Sequence, residues 1–340
     1  MTHPYALQAC FSWPGRVTLV IGKNFMSQEI AKKIIRPTVT PAGRTGLFAF
    51  GRSIRKAAIG YAFVIPALLV YTFFVVYPFI SSIYYSLTSW DGAQPVKKYV
   101  GLANYIRLAT DSLMWQALQH NLIWVILGTI APIVIGLLLG ILLWGGVRGM
   151  VVFRTIYFLP VILSEVVVAI IWNWIYHPLF GALNTLLNFM GLGYLTRGWL
   201  GSPDTALVAL IIAAVWAYFG FAFVVIMAGL QNVNLELVEA AVVDGANAWQ
   251  RAIHVIIPEL RHVLTMITAL TLIGGFSVFG VVFVMTQGGP GTATQVIATY
   301  TYKKAFQENE VGYGAALSMV MTIVSLIASY IFIRLRERGE

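Results

Sequence analysis

Charge is what this sequence has least of. Only 10% of its 340 residues are Asp, Glu, Lys or Arg, while 59% are hydrophobic; soluble domains carry about 25% charge. A surface facing water must be covered by polar groups, so a soluble globular protein is excluded. A chain surrounded by lipid has no such requirement. The single cysteine, Cys10, rules out a disulfide framework or a thiolate metal cluster. The five histidines (His3, His120, His177, His254 and His262) include no pair at the i, i+4 spacing of a helical metal site. No metal site and no catalytic residue is expected, and the acids and histidines are too scattered for a membrane enzyme. There is also no Gly-x-x-x-x-Gly-Lys-Ser/Thr run, since Gly22-Lys23 is followed by Asn24. The chain lacks the loop that cradles nucleotide phosphates.

What the sequence does have is length in apolar runs. Spanning a bilayer takes about 20 apolar residues, and six stretches qualify: roughly 59–87, 117–144, 156–176, 206–230, 263–285 and 313–332. The expected fold class is an all-α membrane protein with about six transmembrane helices. Mean hydropathy of +0.81 agrees. The formal charge of +9 would suggest nucleic acid in a soluble chain, but +8 of it sits in residues 1–58, where Glu29 is the only acid. That segment reads as a disordered basic tail against anionic lipid headgroups, ahead of a transmembrane domain over 59–338. Nucleic acid is not an expected partner. Val17–Ile21 is too short for a signal peptide, and Met26 is an alternative start.

Basic residues orient the spans. With the N-terminus inside, the inside segments hold sixteen Lys and Arg and the outside segments six (Lys97, Lys98, Arg107, Arg197, Lys303 and Lys304). Both termini are therefore expected in the cytoplasm.

Residues 234–258, an inside loop by this count, carry more pattern than a connector needs. Asn234 suits a helix N-cap and Glu236 its first turn. Ala240 and Ala241 would let another protein approach closely. Asp244-Gly245 supplies a stop, and a second helix over 246–257 is expected to end at Pro258. Leu235, Val238, Val242 and Val243 are available for packing. Periodicity alone leaves two readings open: a helix pair projecting from the membrane, or an amphipathic loop lying on it.

The spacing Glu239-Ala240-Ala241, three residues, Gly245, nine residues, then Val255-Ile256-Ile257-Pro258 resembles the EAA loop of ABC importer permeases. Val255 and Ile257 stand where that family carries isoleucine and leucine. The proline that usually precedes the loop is absent. Met285–Thr294, Tyr302–Phe306 and Gly312–Ala316, with Gly101–Tyr105 and Phe180–Asn184, are similar to carbohydrate-uptake permeases of the maltose and glycerol-3-phosphate type. The resemblance implies the type I importer fold in the cell inner membrane and a multi-pass permease subunit that is no enzyme. It implies a second homologous permease, two ATPase subunits carrying ATP and magnesium, and an extracytoplasmic solute-binding protein. The solute would be a sugar, polyol or sugar phosphate. It further implies that Glu239, Ala240, Ala241, Asp244, Gly245 and Pro258 couple the chain to the ATPase, with Glu239 paired to a base there.

The substrate path is less legible. Trp172, Asn173, Trp174, Trp216 and Tyr218 offer aromatic faces and an amide for a sugar; the tryptophans equally suit an interfacial aromatic belt. Glu165 lies near the middle of the third span, where a carboxylate is costly and functional by default. It could instead pair with a partner subunit. Gly136 and Gly140 read as helix packing. A proton-coupled secondary transporter using Glu165 is the rival reading, and it would not need the 239–258 pattern.

Overall fold

The computed structural model describes residues 61–145 and 149–337. The basic tail, with Cys10 and Met26, lies outside the described residues, as do Arg148 and Arg338. The chain divides into two compact units, Met1–Leu69 and Val70–Glu340. The first is described only from Tyr61 onward, as helix.

The regular secondary structure of the described residues is helical, apart from one isolated bridge between Thr88 and Tyr99. In chain order the helices are α1 (Tyr61–Ser86), α2 (Ala103–Thr110), α3 (Ser112–Trp144), α4 (Met150–Ile162), α5 (Glu165–Ile175), α6 (Ala182–Phe189), α7 (Pro203–Leu230), α8 (Leu235–Val243), α9 (Ala248–Glu259), α10 (Arg261–Phe276), α11 (Gly280–Met285), α12 (Ile297–Tyr302) and α13 (Val311–Glu337). Four of them, α1, α3, α7 and α13, are long and apolar enough to cross a membrane by themselves.

The hub is α7. Ala206, Ala209, Ala213, Ala217, Gly220 and Ala222 are all buried on it. Lipid supplies no hydrophobic force between helices, so small residues that allow close backbone approach decide where helices meet. Gly136 and Gly140 of α3 meet α7 in this way. A Cβ at 136 would stand 2.7 Å from the backbone nitrogen of Phe223, and one at 140 would stand 3.2 Å from Ile226 Cγ2. On another side, Gly220 lies directly against the backbone carbonyl of Tyr157 in α4.

The third and fifth spans differ from the continuous helices that hydropathy suggests. The third is two helices, α4 and α5, bent by 100° at Leu163-Ser164. Pro160 removes a hydrogen bond from the last turn of α4. Leu163 and Ser164 are then extended, and Ser164 caps α5 by accepting from the Val167 N–H at 3.4 Å. In the fifth, α10 stops after 16 residues, just past Gly274-Gly275, and helix resumes only at Gly280. Sixteen residues rise about 24 Å, short of a bilayer of about 30 Å. Glycines are poor helix formers, and their place beside the stop fits that.

One end of the bundle is tied together by Asp111. Its carboxylate caps α3, accepting from the N–H groups of Leu113 and Met114 at 2.9 and 3.3 Å. Its other oxygen accepts from the hydroxyls of Tyr300 at 2.6 Å and Tyr313 at 2.5 Å. Arg107 lies over the Tyr313 ring at 4.2 Å and pairs with Glu310 at 2.9 Å. Burial pushes the Asp111 carboxyl upward, but the two hydroxyls and two N–H groups outweigh it and hold the carboxyl below its ordinary value. The opposite end holds a second cluster, in which Leu143, Ile226, Leu230, Val233, Ile256 and Leu260 pack together.

Two outcomes are expected. Gly136→Val should lower the thermal stability of the detergent-purified protein by about 1–3 kcal/mol through overpacking. Gly145→Ala, at a site with nothing within 4 Å, should not. A carboxyl depressed in the folded state stabilises above its unfolded pKa and ceases to as pH falls through the folded one. Asp111→Asn should therefore flatten the loss of stability seen below about pH 4 in pH-dependent unfolding curves.

Candidate functional site

Between α7 and α10 the chain forms a helix pair. Asn234 Oδ1 accepts from the Glu236 N–H at 2.9 Å and starts α8. The helix stops with the Gly245 N–H on the Val242 carbonyl at 3.0 Å and the Ala246 N–H on the Ala241 carbonyl at 2.9 Å. That bond pair closes a helix only if the residue after the cap is left-handed, and Gly245 has φ +81°. A reciprocal box then opens α9: Asn247 Oδ1 accepts from the Gln250 N–H, and Gln250 Oε1 accepts from the Asn247 N–H.

Pro258 does not end this second helix, contrary to expectation. Helix continues to Glu259 and the turn falls at Leu260, where α9 and α10 meet at 73°. Upstream, Ala252–Ile256 widens into π turns, with the Ile257 N–H reaching back to the Ala252 carbonyl. Pro258 therefore enters as one of the first two residues of a fresh turn, where a missing N–H leaves nothing unpaired.

Much of the outer surface of this pair is apolar. Val243 is 87% exposed and Trp249 66%. Glu239 and Asp244 are exposed and make no ion pair among the described residues. A cleft of about 330 Å³ opens beside the turn, lined by Ala241, Asp244, Gly245, Arg251, His254 and Val255. Val238, by contrast, packs inward on the cluster of Leu143, Leu230, Ile256 and Leu260. The pair is thus joined mechanically to α3 and α7.

The second place of interest is where the two broken spans touch. Glu165 is not mid-helix but the first residue of α5, directly after the break. Its Oε1 accepts from the Tyr218 hydroxyl at 3.2 Å. Its Oε2 lies where a Cβ on Gly280, the first residue of α11, would overlap it. Tyr218 stands fifteen residues into the 28-residue α7, so this junction sits about 20 Å from either end of that helix. Glu165, Tyr218, Ser164 and Ser277 are all exposed. One face of α5 runs from Glu165 to Trp172, seven residues on. The Trp172 ring packs edge-on against Trp216 at 5.8 Å, and its shielded Nε1 has no partner among the described residues.

Residues 132–338 match the model of the family described as binding-protein-dependent transport system inner membrane component. A probable ABC transporter permease protein of Pyrococcus horikoshii is 36% identical, over 82% of this chain and 95% of its own. The chain belongs to this family of permeases. A probable starch degradation products transport system permease protein of Thermoanaerobacterium thermosulfurigenes is 30% identical, over 82% of the chain and 94% of its own. The structure of a bacterial ABC transporter involved in the import of the acidic polysaccharide alginate superposes with a TM-score of 0.74 at 22% identity, covering 85% of this chain and 99% of that one. The fold is that of an ABC importer permease, and the protein is a multi-pass inner-membrane transport subunit rather than an enzyme.

The permease separates the residues singled out by sequence into two groups. Glu239, Ala240, Ala241, Asp244 and Gly245 share one projecting element, with Pro258 at its far end. Glu165, Tyr218, Trp172 and Trp216 converge at mid-span. Asn173 is half-buried on α5, while Trp174 is 71% exposed and takes no part. Ser164, Ser277 and Gly280 escaped sequence reasoning. Their only signal was a pair of polar residues near Pro160 and Gly274-Gly275, inside runs that hydropathy scores as continuous.

Proposed function

We propose that this permease is one membrane subunit of an ATP-driven importer of a sugar or related polyol, and that α8 and α9 are its grip on the ATPase. The observation that carries this is the projecting helix pair: its outer face is apolar and unpartnered, while Val238 anchors its inner face to the bundle. The basic-residue count puts this end in the cytoplasm, where an ATPase would meet it. The partners are a second, homologous permease, two ATPase subunits that bind ATP and magnesium, and an extracytoplasmic binding protein, the last in keeping with the family's description. Relatives that handle starch products favour a carbohydrate solute.

Coupling follows from packing. Closure of the ATPase dimer would displace α8, and Val238 would pass the displacement to Leu230 and Leu143. Packed cores move as bodies rather than deforming, so α3 and α7 would rock together in a two-state alternation. The mid-span junction of Glu165, Tyr218, Trp172 and Trp216 is the solute's path in this scheme. A carboxylate and two stretches of non-helical backbone at membrane depth belong on a water-filled or protein-covered face, away from lipid. Proton-coupled transport through Glu165 is disfavoured, because it leaves the family membership and the helix pair without a role.

Glu239→Lys and Gly245→Asp should abolish most solute uptake while membrane insertion and bundle stability stay at wild-type level. Losing a charge pair at such an interface costs about 2–5 kcal/mol, which would appear as weakened co-purification of the ATPase. Normal uptake in both variants would overturn the coupling role.

A further inference from the structure

The junction of the broken spans carries a statement about the solute itself, one that rests on the importer reading above. Among the described residues, the other charges in the spans, Arg154, Asp204, Arg261, Arg334 and Arg336, lie near the two ends of the bundle, whereas Glu165 opens α5 at the break beside the midpoint of α7. Glu165 alone is held at mid-depth. It is held there by construction. The carboxylate lies over Gly280, where any side chain would displace it, and Tyr218 steadies one oxygen from α7. A single hydroxyl leaves most of the acceptor capacity of a carboxylate unused. Along the same face stands Trp172, its ring packed edge-on against Trp216.

We infer that Glu165 is a specificity-determining residue, and that the permease admits neutral or positively charged sugars and rejects anionic ones. The free lone pairs accept sugar hydroxyls or an ammonium group, and the indole face covers the apolar side of a sugar ring. A carboxylate or phosphate on the solute meets a like charge fixed at mid-span, and such juxtaposition is a direct means of exclusion. Sugar phosphates and uronic acids are therefore the excluded class. The alginate importer has an acidic solute and the same fold. The two permeases then share an architecture and differ in the charge of their solute.

The test uses the assembled importer, with the subunits that co-purify with this chain, in proteoliposomes. It is offered an equimolar mixture of neutral malto-oligosaccharides, cationic glucosamine oligomers and anionic galacturonate oligomers, and ATP-dependent accumulation is read by mass spectrometry. The wild type should take up neutral or cationic oligomers at least about tenfold over anionic ones. Glu165→Gln should shrink that ratio by about tenfold, and Glu165→Asp should largely keep it. Equal uptake of anionic oligomers by the wild type, or an unchanged ratio in Glu165→Gln, overturns the inference while leaving sugar import intact. An unchanged ratio with impaired subunit assembly would assign Glu165 to a pair with the second permease and equally overturn it. No ATP-dependent uptake of any class would instead overturn the sugar-import reading on which it stands.

Discussion

The close approach of α3 to α7 is the constraint on which the rest of the bundle rests. Gly136 leaves no room for a Cβ against the Phe223 backbone, so the two helices meet nearly main chain to main chain. In lipid such fit, together with the polar contacts it allows, replaces the hydrophobic force that assembles soluble cores. The rest is arranged around α7, with α4 docked at Gly220 and α5 and α11 beside it. Because α7 is surrounded on several sides, its displacement has to carry its neighbours.

That rigidity gives the two interrupted spans their meaning. A helix satisfies its own backbone, and a break at membrane depth leaves peptide groups that lipid cannot serve. Here both breaks fall together, Glu165 against Gly280, beside a tyrosine hydroxyl at the midpoint of α7. Two exposed serines, Ser164 and Ser277, flank them. Each of these polar features would be expensive against acyl chains. Collected together, they form a polar strip at the junction of the two broken spans.

At the far end, the α8–α9 pair is built from local rules. A capping asparagine, a left-handed glycine, a reciprocal capping box and a π stretch ahead of a proline each follow from nearest neighbours. What joins the pair to the bundle is long-range: Val238 and Ile256 belong to the same packed cluster as Leu143 and Leu230. In the proposed coupling, a rigid local element on a packed long-range seat is what would carry a displacement at this end into the bundle.

The sequence by itself determined the solvent, the approximate position of the apolar helices and bent helix pairs, and the cap and stop of α8. Scarcity of charge, length of apolar runs, Asn234 and Gly245 all speak through composition or through contacts a few residues apart. The packing role of Gly136 and Gly140 was legible too, since small residues four apart in an apolar helix have little other use. Tertiary structure alone decided where the third and fifth spans break, that helix passes through Pro258, and which mid-span residues meet. Hydropathy averages over a window and cannot register two or three extended residues inside it. The Glu165–Gly280 contact joins residues more than a hundred positions apart, fixed only once α7 has brought α5 and α11 to the same depth.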